Sequence, residues 1–296
     1  MIVEPLDIAA IRALLTAKPR PVGWAARRER LDEIGSVWPA APDVSFTGVD
    51  IDGIPGEWSA VPGSDSSRAL LFFHGGGYCS GSIVSHRRMV SEAGRAAGVR
   101  TLAVGYRLAP ENPFPAALED AVKAWHYLRR QGIAPAHVAV GGDSAGGGLA
   151  LALGLQLREG REALPGCLWL VSPWTDLTMS GLTLVTKEAV DPLIHKAYLE
   201  ELAQAYLQGS ADRTDPRISP LFADLRGMPP LLIQVGSAET LLEDAVRLAA
   251  AAGDADVPAT LEIWPHMIHA WHLWNARLEP ARQALDSAGA FMRQQL

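Results

Sequence analysis

The 296-residue chain contains only two cysteines and lacks the hallmarks of secreted and membrane proteins. Cys79 and Cys167 stand in apolar segments without metal-ligand spacing, which predicts two buried free thiols and a reducing compartment. No apolar run reaches membrane-spanning length, and the first ten residues lack a basic region followed by a long apolar one. We therefore expect a cytoplasmic protein without stable membrane insertion.

Clusters of positive charge are also scarce. The formal net charge is −7, and the densest basic group is Arg27, Arg28 and Arg30 near the N-terminus. Nucleic-acid-binding domains carry a basic stripe or patch, whereas this group fits one solvated helix face, so we expect no nucleic-acid partner. Hydrophobic residues make up 48% of the chain and charged residues 20%, which is typical of a globular protein with a sizeable core.

Short apolar runs alternate with helical patterns along most of the chain, which predicts an α/β fold with a mostly parallel sheet covered by helices on both faces. The first strands are expected at one edge. The predicted strands cover residues 43–50, 54–61, 68–73, 99–106, 137–142, 167–172, 230–236 and 259–264. The predicted helices cover residues 4–18, 24–34, 115–131, 145–159, 239–252 and 279–295.

Residues 178–208 form an unusually long connection between two predicted strands, with a helical pattern over 190–207. A crossover does not need this length, so the segment is a candidate lid or cap. The apolar positions of the first predicted helix need a partner, and these are Leu6, Ile8, Ile11, Leu14 and Leu15. We expect one domain over 1–296, with a cap from 1–40 and 178–210 and a core from 41–177 and 211–296.

Residues 142–146 read Gly-Asp-Ser-Ala-Gly between a predicted strand and a predicted helix. The G-x-S-x-G string is weak by itself, but strand, tight turn and helix in this order are typical of a nucleophile elbow. Small residues at Gly142 and Gly146 let strand and helix pack closely without a collision. The pattern therefore predicts that Ser144 is a nucleophile at the N-terminus of a helix. The alternative is a glycine-rich turn with a serine that caps the helix.

A serine nucleophile needs a base, and the segment WPHMIHAWHLW offers His266, His269 and His272 after the last predicted strand. A loop there overhangs the strand ends at which ligands bind in such sheets. The three histidines could also suggest a metal site. At this spacing they would fan out around a helix, and no carboxylate or cysteine stands among them, so we expect no metal.

The base also needs a carboxylate to fix its tautomer. In this arrangement the chain order is serine, acid, histidine, so the acid should follow the strand at 230–236. The sequence there is GSAETLLED, which leaves Glu239, Glu243 and Asp244 as candidates. A carboxylate in the first turn of a helix also complements the helix dipole, and this reading applies to at least two of the three.

The run HGGG at 74–77 follows the strand at 68–73. Three successive glycines are costly for a chain to order, but they let backbone N–H groups approach a ligand closely. An oxyanion intermediate needs such donors about 3 Å away. We therefore expect this loop, with the N–H of Ala145, to form an oxyanion hole.

Seven motifs together resemble the bacterial hormone-sensitive-lipase-like esterases, a family of the α/β-hydrolase superfamily, and they occur in that family's order. They are HGGGY at 74–78, YRLAPE at 106–111, GDSAGG at 142–147, SPWTDLT at 172–178, PRISPL at 216–221, PPLLIQVG at 229–236 and MIHAW at 267–271. The resemblance implies an α/β-hydrolase fold with a helical cap and extends from about residue 45 to the C-terminus.

Carried over by position, the resemblance implies Ser144 as nucleophile and His269 as base. Its oxyanion donors are Gly76, Gly77 and Ala145. The family's acid is usually aspartate, and this chain departs from that pattern with Glu239. His266 also stands where a smaller residue is common, so we expect this loop to pack differently.

Tyr78 and Asp143 flank these groups, and we expect both to contact the substrate. The resemblance implies a carboxylesterase that needs no cofactor or metal and forms an acyl-enzyme; a homodimer is left open. Residues 178–208 mix charged with apolar positions instead of forming a long apolar lid, so we expect small esters of short acyl chains to be the substrates. An amidase, a lactonase or an arylester-detoxifying hydrolase could use the same residues. A non-catalytic receptor similar to the plant gibberellin receptor is a further alternative, although such receptors lose catalytic residues and this chain keeps serine, acid and histidine.

Overall fold

The computed structural model describes residues 7–209 and 212–296. Its centre is an eight-stranded sheet in the order β1-β2-β4-β3-β5-β6-β7-β8. β2 pairs antiparallel with both neighbours and all other pairs are parallel, so the predicted mostly parallel sheet is confirmed. The strands are β1 Ser45–Ile51, β2 Ile54–Ala60, β3 Asp65–Phe73, β4 Val99–Val104, β5 Val138–Asp143, β6 Cys167–Val171, β7 Leu231–Gly236 and β8 Ala259–Trp264.

Helices cover both faces of the sheet, and the alternation of side chains along β3 shows why. Leu71 and Phe73 join the core cluster that contains residues of the helices at 116–130, 145–159 and 242–254, whereas Leu70 and Phe72 join a second cluster with the helices at 83–97 and 279–295. The α-helices of the described residues are α1 Ile8–Thr16, α2 Trp24–Ser36, α3 Ile83–Ala97, α4 Ala116–Arg130, α5 Ala145–Glu159, α6 Thr183–Thr186, α7 Lys196–Leu207, α8 Leu242–Asp254 and α9 Glu279–Gln295.

The connection between β6 and β7 differs from its prediction. The helical pattern at 190–207 becomes a helix only from Lys196 onward. Asp191 accepts hydrogen bonds from the backbone N–H groups of Leu193 and Ile194, both at 2.9 Å. Pro192 lies between Asp191 and Leu193 in the sequence. A side chain that caps its own backbone competes with helix formation, which holds this stretch in a turn.

The N-terminal helix packs beside the loop that precedes α9. Ile11 is fully buried in a cluster with Met267 and Ile268, so part of the apolar face finds its partner there. Leu14, by contrast, is 51% exposed. Leu6 lies outside the described residues, as do the other residues of 1–6, residue 210 of the predicted cap and residue 211 of the predicted core.

Both cysteines are free and buried, as predicted. No helix among the described ranges is both long and apolar enough to span a bilayer.

Candidate active site

Ser144 occupies a sharp turn between β5 and α5. Its backbone has φ 55° and ψ −121°, a region that residues other than glycine rarely adopt. A Cβ on Gly142 would collide with the carbonyl of Gly146, and a Cβ on Gly146 would collide with the carbonyl of Phe73. The Ser144 N–H donates to the Val171 carbonyl at 2.8 Å. The turn therefore depends on its small neighbours and holds Ser144 at the carboxyl edge of the sheet.

His269 and Glu239 form a buried pair. His269 Nδ1 lies 2.8 Å from Glu239 Oε2, and the two side chains are 6% and 0% exposed. A carboxylate only accepts hydrogen bonds, so Nδ1 carries the proton and Nε2 is left as the basic nitrogen. Of the three acid candidates, Glu239 makes this contact, whereas Glu243 accepts from the backbone of Thr183 and Asp244 from the backbone of Thr175.

The pKa values of the pair follow from burial and from the contact between them. Burial alone would lower the pKa of His269, but the hydrogen bond and the charge of Glu239 outweigh it and leave that pKa above its ordinary value of 6.5. Burial raises the pKa of Glu239, and the hydrogen bond from His269 opposes this shift. The pair therefore stabilises an imidazolium, the form that a base reaches after it takes a proton.

Ser172 joins the loops that carry the acid and the base. Its hydroxyl donates to Glu239 Oε1 at 2.9 Å and accepts from the backbone N–H of Ala270 at 3.1 Å. The Gly236 N–H donates to the same oxygen of Glu239. Sequence reasoning missed Ser172, although it stands in the SPWTDLT motif directly after β6.

Gly76 and Gly77 follow β3 with φ values of 114° and 65°. A Cβ would collide with the Ser80 carbonyl at Gly76 and with the Leu202 side chain at Gly77. Neither N–H is taken by an acceptor within the ranges 7–209 and 212–296. Ala145 begins α5, where the first N–H groups have no partner inside the helix. All three therefore offer backbone donors on the Ser144 side of the sheet.

Asp143 holds the glycine loop in place. Its carboxylate accepts from the Gly75 N–H at 2.9 Å and contacts His86 Nε2 at 3.2 Å. Burial pushes the pKa of Asp143 up, but the neighbouring His86 and the hydrogen bonds bring it below its ordinary value. Asp143 also lines the cavity described below, so it is placed to face a bound molecule as well.

Tyr78 lies elsewhere than predicted. Its φ of 62° accompanies a ring that stacks on Tyr206 with centroids 4.0 Å apart, and the residue is only 3% exposed. It is absent from the lining of the cavity. The geometry therefore assigns Tyr78 to the core beneath the glycine loop and gives no support to a contact with substrate.

A cavity of about 450 Å³ opens above Ser144 and His269. Gly76 and Gly77 lie in its wall, as do Leu15 and Leu31 from the N-terminal helices. Residues of the 192–202 stretch also line the wall. They are Pro192, Leu193, Ile194, His195, Tyr198, Leu199 and Leu202. Ser144, His269, Gly76 and Gly77 therefore face one space.

The three histidines of the last loop diverge. His266 is exposed, and its backbone N–H donates to Ser237 Oγ at 2.8 Å. His272 is buried, with Nε2 2.9 Å from Gln234 Oε1. Burial lowers the pKa of His272 to about 3, which keeps the ring neutral. Only His269 of the three reaches the cavity.

Comparison with known proteins agrees with this geometry. Residues 70–273 match the family described as alpha/beta hydrolase fold. The chain is 46% identical over 237 residues to an acetyl-hydrolase of Streptomyces hygroscopicus, covering 80% of this chain and 79% of the relative. It is 35% identical over 267 residues to an esterase of Acinetobacter venetianus, covering 90% and 88%.

Solved structures give the same result. An esterase from the bacterial hormone-sensitive lipase family superposes with a TM-score of 0.93 at 40% identity, covering 97% of this chain and 96% of that one. An esterase/lipase from an uncultured bacterium superposes with the same score at 41% identity, covering 97% and 98%. The chain thus belongs to the alpha/beta hydrolase fold family and, within it, to the bacterial esterases of the hormone-sensitive lipase type, which are carboxylic ester hydrolases.

Proposed function

We propose that this carboxylic ester hydrolase cleaves small, short-acyl esters through an acyl-enzyme on Ser144. The observation that carries the proposal is the buried Glu239–His269 pair, 2.8 Å apart, on the same cavity as Ser144 and the glycine loop. A base oriented by a carboxylate is what a serine hydroxyl needs to become a nucleophile.

The proposed reaction has two halves. His269 Nε2 takes the hydroxyl proton as Ser144 Oγ attacks the ester carbonyl carbon, and the carbonyl oxygen becomes an oxyanion held by the N–H groups of Gly76, Gly77 and Ala145. His269 returns the proton to the departing alcohol and leaves an acyl-enzyme. Water then gives a proton to His269, attacks the acyl carbon and releases the carboxylic acid, and Ser144 regains its proton.

Replacement of Ser144 tests the mechanism. We expect Ser144→Ala to lower kcat by about 10⁶-fold, because the covalent step is lost. A fluorophosphonate should label the wild-type enzyme and Ser66→Ala, which changes an exposed serine of β3, but not Ser144→Ala. The thermal midpoint reports whether each variant is folded. A folded Ser144→Ala enzyme that keeps more than a few per cent of activity, or that is still labelled, would refute the assignment.

The size and walls of the cavity support the short-chain preference. A space of about 450 Å³ closed by helices can bury a short acyl chain, and a long chain would have to leave it. The 178–208 segment also mixes charged with apolar positions, unlike a long apolar lid. We expect kcat/KM to be highest for p-nitrophenyl esters of about two to eight acyl carbons. Faster hydrolysis of emulsified triolein than of dissolved butyrate ester would contradict this.

We also propose that α1, α2 and the 178–209 stretch act as a cap. Support comes from the cavity wall and from Arg12, whose guanidinium donates to the Val190 carbonyl and, at 3.5 Å, to the His266 carbonyl. Deletion of residues 1–35 should therefore alter kcat/KM and the acyl-length profile more than it alters the thermal midpoint. Unchanged kinetics after the deletion would oppose the proposal.

A cytoplasmic location and a homodimer stay predictions. The two buried free thiols are compatible with a reducing compartment. Cell fractionation tests the first, and light scattering at several protein concentrations tests the second.

A further inference from the structure

The lining of the cavity carries positive charge, although the chain as a whole carries a formal net charge of −7. Lys18, Arg20, Arg27 and Arg30 line it, all from the stretch that joins α1 to α2 or from α2 itself. Among the described residues, Asp143 is the one carboxylate in the lining, and it is hydrogen-bonded to the glycine loop and to His86. The lysine and arginine side chains of the lining therefore all come from one stretch of the chain, residues 18–30.

The cations differ in how far they are neutralised. Both terminal nitrogens of Arg27 are bonded to Glu201, at 2.9 and 3.1 Å, and Arg30 lies 3.5 Å from Glu33. Arg20 has no such partner: within the described part of the chain, no carboxylate hydrogen-bonds to its guanidinium. Among the three arginines, these differences single out Arg20.

The Arg20 guanidinium is fixed at the wall. It lies 3.4 Å from the centre of the Tyr198 ring and donates one N–H to the Leu193 carbonyl, and both partners line the cavity. Guanidinium has five N–H donors in a planar fork, so most of them are left for a ligand. The groups packed around the guanidinium remove part of its hydration and lower the pKa of Arg20, although the residue as a whole stays exposed to solvent.

The nearby carboxylates are already engaged. Glu201 is held by Arg27, and Asp191 accepts hydrogen bonds from Leu193, Ile194 and Thr240. Their negative charges weaken the positive potential at Arg20, but they accept no hydrogen bond from its guanidinium.

We infer that Arg20 binds an anionic group on the substrate, so that the preferred esters are short esters with a carboxylate at the end remote from the scissile bond. The inference rests on the proposed function, since it needs the ester carbonyl at Ser144. Apolar side chains such as Leu199 and Leu202 line the space with Arg20 and Ser144 and suit the methylene or ring portion of such a molecule. A carboxylate matches the planar guanidinium fork through paired hydrogen bonds.

Two matched pairs of esters test the inference. For the acyl side, p-nitrophenyl valerate is compared with the mono-p-nitrophenyl ester of glutaric acid, which has the same number of acyl carbons. For the alcohol side, methyl 4-acetoxybenzoate is compared with 4-acetoxybenzoate. The quantity measured, after subtraction of spontaneous hydrolysis, is the ratio of kcat/KM for the anionic ester to that for the neutral one. Comparing this ratio between enzymes cancels the intrinsic reactivity of each ester.

We expect Arg20→Gln to lower this ratio by about tenfold in at least one pair, and Arg20→Lys to lower it less, because the charge is kept and the fork is lost. Arg130→Gln is the matched control, since Arg130 is exposed and pairs with Asp52. A change of less than threefold in both pairs for Arg20→Gln, or a rise, would overturn the inference.

A second measurement decides the matter if Arg20→Gln does not fold. In the wild-type enzyme, an increase in NaCl from 20 to 500 mM should lower the ratio by at least threefold in one pair, because salt screens a charge pair at a partly exposed site. A smaller effect in both pairs would then overturn the inference. Failure of the proposed function looks different: Ser144→Ala would still hydrolyse both members of a pair.

Discussion

Asp191 binds Thr240, the residue directly after the catalytic acid that we propose. Asp191 Oδ2 accepts from the Thr240 N–H at 2.8 Å and from its hydroxyl at 3.2 Å, across 49 positions of sequence. Its other oxygen accepts the N–H groups of Leu193 and Ile194. One buried carboxylate thus ties the turn that lines the cavity to the loop that carries Glu239.

Asp191 should therefore act as a positioning residue. Asp191→Ala leaves buried N–H groups unpaired, which costs about 1–3 kcal/mol for each group left buried, and frees the Glu239 loop. We expect kcat to fall about 10- to 100-fold with a smaller change in KM. The charge of Asp191 also helps to raise the pKa of His269, so the acid limb of the pH profile should move to lower pH.

A merely structural role for Asp191 would lower the thermal midpoint without moving the pH profile. Asp52→Asn, which changes an exposed carboxylate paired with Arg130, is the matched control. The prediction would be contradicted if the kcat of Asp191→Ala stayed within about twofold of wild type and its acid limb stayed within about 0.2 pH units. These bounds reflect roughly the precision of such kinetics.

The identity of the acid can be tested by two amide substitutions. Glu239→Gln keeps the volume but offers an amide that can stabilise the wrong tautomer of His269, so kcat should fall by about 10³- to 10⁴-fold. Glu239→Asp should recover part of this loss, limited by its shorter reach. Asp244→Asn should leave kcat within a few-fold. If Asp244→Asn were the crippled enzyme and Glu239→Gln worked normally, Glu239 would not be the acid.

The acid limb of the kcat/KM profile should report His269. The base must be neutral to accept a proton, so activity falls as pH falls through the pKa of His269, which lies above 6.5 because of Glu239. Glu239→Gln removes that charge, and the limb of the residual activity should move to lower pH. Kinetics between pH 5 and 9 on a substrate whose leaving group does not titrate there provide the measurement. A limb that stays in place, or moves upward, would exclude Glu239 as the source of the shift.

The buried carboxyl of Asp244 should make the stability of the protein depend on pH. Burial raises its pKa to about 7 although backbone N–H groups of Thr175 and Asp176 donate to it, and the charge of Asp176 adds to the rise. A raised folded pKa contributes stability that is present below the unfolded value of about 3.9 and is lost as pH rises through about 7.

Asp244→Asn cannot ionise and should escape this loss. Its free energy of unfolding, relative to wild type, should therefore improve by roughly 1–4 kcal/mol between pH 4 and pH 8. Urea unfolding at the two pH values measures the difference, with Asp52→Asn as the control. A constant difference at both pH values would contradict the shifted pKa.

Much of the fold was predictable from the sequence because its strands are short, continuous apolar runs. Strand β8 begins and ends where the pattern predicts, and helix α5 does as well. The strand predicted at 99–106 ends at Val104 instead. Tyr106 after it turns its hydroxyl to the His74 carbonyl at 2.7 Å, a long-range contact that periodicity does not reveal.

The residues of the candidate site also divide into those that the sequence indicates and those that it does not. Ser144, Glu239 and His269 could be inferred because each follows a strand end, and the order of strand ends along the chain is visible. Tyr78 could not be placed, because its side chain direction depends on a positive φ and on the distant Tyr206. Asp191 could not be placed for a related reason: an Asp-Pro step inside a helical pattern signals a turn, but not the segment that its carboxylate will bind. The contact of Arg20 with Tyr198 joins segments far apart in the sequence, so the pattern around Arg20 does not reveal it.

The burial of both cysteines makes it possible to attach a fluorescent label at one chosen position of the enzyme. Burial raises the pKa of the Cys79 and Cys167 thiols to about 12, so neither is a reactive thiolate near neutral pH. Leu182, just before α6, is 72% exposed. A cysteine introduced there by Leu182→Cys would be the single thiol open to a maleimide dye. Its fluorescence anisotropy would then record the motion of this surface during turnover, without any need to remove the native cysteines first.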